Sequence, residues 1–156
     1  MTIVEKIINS IQAAVQVDYG NTDNNGDPVL DPINVYYHDE PTLNLMTSDM
    51  VFPCALFQLI TTGNAVTAGG TVKERVTAAV FFVEPSQYDF DAVQNEAIID
   101  RCKGRAFSWL GALMGGDAWL SLNNLNNTSR VYDRYDDILT GYGVFVDVDE
   151  LTGVCF

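Results

Sequence analysis

Apolar positions follow two periods along this chain, and the changes of period divide it into elements. Ile3, Ile7, Ile8, Ile11 and Val15 recur three and four residues apart. That spacing lays one stripe along a helix from about Thr2 to Val17, which needs a surface to cover. Val51 to Ile60 (VFPCALFQLI) is nearly continuous in apolar residues and bounded by turn formers, the pattern of a buried strand. Val72 to Pro85 (VKERVTAAVFFVEP) opens with solvated alternation and turns apolar on both faces from Val76 to Val83, so it passes from solvent into the core. Ile33 to Tyr37 (INVYY) is a short β-prone run. Near the C-terminus RVYDRYDD (residues 130–137) and ILTGYGVFVDVDEL (residues 138–151) read as a strand or hairpin, with Val144, Val146 and Val148 alternating with Phe145, Asp147 and Asp149, and LTGVCF predicts a short terminal strand.

Val93, Ala97, Ile98, Cys102, Ala106, Trp109, Leu110 and Leu113 fall on one stripe of a second helix. Asp89 or Asp91 caps its start, and Gly115 and Gly116 stop it after Met114. At about 1.5 Å per residue this helix spans roughly 35 Å and should cover a sheet face. Gly104 and Gly111 inside it each cost about 1 kcal/mol against alanine, which predicts close backbone approach there. Between the elements lie an acidic loop (residues 18–32), a glycine-rich hairpin connection (residues 61–71) and an asparagine-rich loop (residues 121–129). With no internal repeat, residues 1–156 read as one α+β domain. Its expected architecture is a mainly antiparallel sheet of about four or five strands, covered by the N-terminal helix and the long helix.

Composition narrows the functional classes. The chain has 156 residues and a formal net charge of -13, from 8 Lys and Arg against 21 Asp and Glu. Up to Val72 its one cation is Lys6. Such a balance argues against binding to a nucleic-acid backbone. Glu5 and Lys6 interrupt the apolar region that a signal peptide would need, and no run reaches the roughly 18 apolar residues of a membrane span. The chain is therefore expected to be soluble and used without export. Cys54, Cys102 and Cys155 are odd in number and flanked by apolar residues, as buried free thiols in a reducing compartment are.

Several chemistries can be tested against spacing. The stretch DYGNTDNNGDPVLDP, Asp18 to Pro32, crowds Asn21, Asp23 and Asn25 before Gly26 as a calcium loop would. The place where a bidentate Glu should close the shell holds Pro32, and Pro28 and Pro32 favour an extended exit. A solvated acidic loop that orders on a partner, through Asp23, Asn25 and Asp27, is the better reading. His38 is the one histidine, which excludes zinc at paired spacing, and no nucleophile elbow or phosphate loop accompanies it. A base at YYHDEP, or a carboxylate pair among Asp133, Asp136 and Asp137, is not singled out by any further residue. No metal or other cofactor is expected. Arg101, Lys103 and Arg105 lie on the long helix, with Arg101 and Arg105 one turn apart. They either pair internally with Glu96 or Asp100, or offer a positive patch to the acidic surface of an identical copy.

The order of elements and the segments VFPCALFQLI, VKERVTAAVFFVEP, FDAVQNEAIIDRCKGRAFSWLGALM and YDDILTGYGVFVDV together resemble the tail-completion or tail-terminator proteins of long-tailed bacteriophages and prophages. The likeness lies in element order and strand character and carries no site residue across; the Asp18 to Pro32 segment departs from it. It implies a small α+β subunit, not an enzyme, that forms a ring at the head-proximal end of the tail. The ring would stop tube polymerisation and join tail to head connector, in virions assembled in the host bacterial cytoplasm. Its partners would be itself, the tail tube and the head connector, with no sequence-specific nucleic acid and no membrane. An acidic lumen would also repel passing DNA. The alternative from another class is a soluble small-molecule-binding protein or enzyme, with its pocket between the long helix and the sheet.

Overall fold

The computed structural model describes residues 2–37, 50–60, 64–68, 71–86, 92–115, 120–134 and 139–155. Helix α1 (Ile3–Ala14) starts at a capping box: Thr2 Oγ1 accepts the Glu5 N–H, and the Glu5 carboxylate accepts the Thr2 N–H, both at 3.1 Å. It ends three residues before the expected Val17. Val15 is extended, closing the last turn with its N–H on the Ile11 carbonyl, and strand β1 (Gln16–Thr22) follows at once.

β1 pairs antiparallel with β2 (Pro28–Pro32), so the segment expected to be an acidic loop is a β-hairpin. Its turn has a mechanism in the sequence. Gly26 takes φ +80°, the Gly26 N–H reaches the Asp23 carbonyl at 3.0 Å, and the Asp23 N–H reaches the Asp27 carbonyl at 2.9 Å. A turn with a left-handed glycine in that place matches the twist of two strands. Pro28 and Pro32 are tolerated because a strand of this ribbon has a free edge that needs no donor.

The main sheet runs in the order β3 (Asn34–Tyr37), β4 (Cys54–Leu59), β6 (Thr71–Pro85), β8 (Leu139–Cys155), β7 (Leu120–Arg134), while β5 (Asn64–Ala68) pairs β6 alone. Every pairing is antiparallel except β3 with β4. One edge of β6 takes β4 against residues 78–83 and β5 against residues 71–75, which makes the glycine-rich connection the arm of a hairpin. The other edge of β6 pairs with β8 along its whole length. Gly141 makes this possible, since a Cβ there would run into the Phe82 carbonyl. β8 reaches Cys155 without a break, so the expected terminal strand is its continuation. The asparagine-rich segment expected to be a loop is strand β7, bent by register shifts at residues 122–124, 125–127 and 131–134.

Helix α2 (Ala92–Met114) lies over β6, β8 and β7 and touches α1. The residues expected to cap it, Asp89 and Asp91, lie outside the described residues. Ile98, Ile99, Cys102, Ala106, Trp109, Leu110 and Leu113 are buried beneath it, joined by Ile7 and Ile11 from α1 and by alternate residues of the sheet: Ala55 and Phe57, Val76 to Phe82, Tyr142 to Val148. Val93 and Ala97, expected on this stripe, face solvent, Val93 at 76% exposure. Gly104 and Gly111 are exposed too, with no heavy atom within 4 Å of where a Cβ would stand, so the expected close backbone approach is absent. On the other sheet face Met50, Cys54, Leu56, Val83 and Leu139 form a smaller cluster. Among the described residues no helix is long and apolar enough to cross a membrane.

Candidate functional site

Residues 101, 104, 105 and 108 share one face of α2, and that face looks toward the end of α1. There the chain changes from helix to strand at Ala14, Val15 and Gln16, held by the Ile33 N–H on the Val15 carbonyl at 3.1 Å. The two elements enclose an open groove of about 420 Å³ lined by Ala14, Val15, Gln16, Arg101, Gly104, Arg105 and Ser108. Bare Gly104 leaves its middle wide.

The electrostatics of the groove are set by one carboxylate. Glu84, at the end of β6, accepts from Arg101 Nε at 3.1 Å and Nη2 at 2.9 Å, and from Arg105 Nη1 at 2.6 Å. The Arg101 contact is two-pronged, the geometry that suits a guanidinium against a carboxylate. Burial pushes the Glu84 carboxyl up, but donation by Arg101 and Arg105 outweighs it and holds the group below the ordinary glutamate value. Two guanidiniums against one carboxylate leave a surplus positive charge. Arg101 is half exposed and Arg105 largely covered.

No nucleophile is poised here. Cys102, 3.8 Å from Arg105 Nη1, is buried, and desolvation together with the nearby Glu84 charge pushes its thiol up to about 12. Burial raises the Cys54 thiol as well. Both are neutral thiols at physiological pH, unlike the thiolates of reactive cysteines. The arrangement can hold an anion, a carboxylate above all.

Of the residues singled out from sequence, Arg101 and Arg105 come together in the groove, paired internally through Glu84 and not through Glu96 or Asp100. Glu96 instead takes Arg130 from β7. Lys103 points elsewhere, over the Phe107 ring at 5.5 Å. Asp23, Asn25 and Asp27 are exposed at the tip of the β1–β2 hairpin. Asp23 Oδ1 accepts the N–H groups of Asn25 at 2.8 Å and Asp27 at 3.0 Å, so that carboxylate organises the turn. Among the described residues no three of His, Cys, Asp or Glu converge as metal ligands would. His38, Asp136 and Asp137 lie outside the described residues. Glu84 and Ser108 were not singled out: Ser108 stands one turn after Arg105 on the same helix face, a spacing that marks it, whereas Glu84 lies 17 and 21 residues from the two arginines. The one signal for Glu84 is that it is the carboxylate near the end of a buried strand.

The hairpin stands on a polar anchor. The Tyr19 hydroxyl donates to the Pro53 carbonyl and accepts the Asn34 N–H at 2.9 Å, and burial raises its pKa. Beyond Val17 no side chain of the ribbon is fully buried: Tyr19 packs partly against the core, and Val29 and Leu30 are 36% and 56% exposed. Comparison of the chain with protein-family models and with curated proteins returns no match.

Proposed function

We propose that this chain is a structural virion component of a long-tailed bacteriophage or prophage. It forms a ring at the head-proximal end of the tail, terminates the tube and joins tail to head. The observation that carries this reading is the β1–β2 ribbon: anchored at its base by Tyr19, it leaves the core, exposes Val29 and Leu30 together with Asp18, Asp23 and Asp27, and fully buries no residue beyond Val17. Ordering a ribbon costs conformational entropy that its few internal contacts offset poorly, and burial against a neighbour supplies the missing stabilisation. A subunit that works through packing surfaces has a use for such an arm; the element order of the resembling tail proteins supports the same reading. Partners would be further copies of itself, the tail tube and the head connector.

The test is size-exclusion chromatography with light scattering across a concentration series, with electron microscopy of the largest species. Closed rings that grow in with concentration are expected. A strict monomer at every concentration would overturn the reading.

A further inference from the structure

We propose that the Arg101–Arg105 groove seats the acidic hairpin tip, Asp23 to Asp27, of a second copy of this chain; the inference rests on the ring-subunit reading. Charge favours it first. In a chain of net charge -13, copies repel one another in general, and contact needs a place where the sign is reversed. The groove is such a place, since Arg101 and Arg105 share the single Glu84 carboxylate. The hairpin offers the complement, with Asp23 and Asp27 exposed at its tip and Asp18 nearer its base.

Reach excludes the tip's own groove. Gln16 both lines the groove and begins β1, a strand of 7 residues. At roughly 3.3 Å per residue its turn stands on the order of 20 Å from where the chain leaves the groove, so the tip meets a different molecule. The two surfaces are unlike, so each copy gives its tip to one neighbour and its groove to another. Head-to-tail contacts of this kind close into rings when the rotation allows. The groove is open and Gly104 presents no side chain, which leaves room for a two-stranded tip.

Reversing the arginines is a poor probe because it would set new acid against Glu84 and injure the fold. Ser108→Glu places a negative charge in the groove from an exposed position and spares the clamp. Asp27→Lys reverses the tip, and the Asp27 side chain makes no turn contact that its replacement would lose. Each single variant should weaken self-association about tenfold or more at low salt, and the two combined in one chain should return it to within about twofold of wild type. As a second measurement, Asp27→Cys with Ser108→Cys in a Cys155→Ser background should give a disulfide-linked ladder longer than dimer on oxidation. Rings that form without the ladder, or single variants that associate as wild type does, would overturn the hairpin contact and leave the ring reading standing. A chain that is monomeric at every concentration would sink both.

Discussion

The indole N–H of Trp109 donates to Ser10 Oγ at 3.0 Å, and Ser10 Oγ donates onward to the Ile7 carbonyl at 2.7 Å. This buried relay fastens the two helices to each other, with Trp109 fully buried and Ser10 at 5% exposure. Ser10→Ala leaves the indole N–H without its partner and should cost about 1 to 3 kcal/mol. Trp109→Ala also empties an aromatic site and should cost about 3 to 5 kcal/mol. Urea unfolding measures both, and equal losses for the two variants would mean that packing around the ring adds nothing beyond the hydrogen bond.

Glu84 gives stability a defined dependence on pH. Its carboxyl is held below the ordinary value of 4.5 in the folded chain, so the folded state binds this proton more weakly than the unfolded one. The stabilisation is complete above 4.5 and is lost as pH falls through the lower, folded value. Glu84→Gln should cost about 1.5 to 3 kcal/mol at neutral pH, as loss of hydrogen bonds to a charged group does. It should also show a shallower fall in stability on acidification. Identical acid slopes for wild type and variant would show that other carboxylates carry the dependence.

Three glycines should respond to alanine with opposite signs. Gly111 is exposed in α2 with open space around it, so Gly111→Ala should stabilise by roughly 0.5 to 1 kcal/mol through helix propensity and a less free unfolded chain. Gly104→Ala should do the same. Gly141→Ala forces a methyl against the Phe82 carbonyl and must part β8 from β6, at a cost of at least about 1 to 3 kcal/mol. Thermal melts of the three variants decide this, and a stable Gly141→Ala protein would mean that the sheet yields there.

What could be read from the sequence was whatever burial had written into it. Ile7, Ile11, Phe57, Val80 and Trp109 are fully buried, and their spacing placed α1, β4, β6 and α2. The end of β7 was legible in RVYDRYDD, which reads as a strand or hairpin, but its asparagine-rich first part was not, because Asn123 to Asn127 are exposed on an edge strand, where bulges break the alternation. Its polar side chains bond to each other and to the sheet, Asn124 to Asn126 at 2.6 Å and Asn126 to Asp147 at 2.9 Å. The hairpin was missed for the same reason, since a ribbon open to water needs no apolar period, although Asn-Gly-Asp at its tip carried a turn signal. Ile99 was passed over because it sits beside Ile98, and a wide buried face takes both. In the candidate site the arginines were visible as a pair. Glu84 was not, because its contacts span 17 and 21 residues and strand-to-helix packing alone brings them together.

The hairpin tip should behave as a turn and not as a calcium site. Asp23 Oδ1 already accepts two backbone N–H groups, Asn21 Nδ2 is bound to Asp31 at 2.6 Å, and Pro32 stands where a closing Glu would be needed. A calcium ion would have to break the turn to gain these oxygens, so calorimetry should show no binding tighter than about millimolar. Asp23→Ala removes the acceptor, and amide exchange at residues 24 to 27 should speed up while the melting temperature hardly moves, because these residues are exposed and outside the core. Asp23→Asn keeps a side-chain oxygen and should restore slow exchange. Micromolar calcium binding that Asp23→Ala abolishes would instead show that the tip reorganises around a metal, with the turn hydrogen bonds given up to coordinate it.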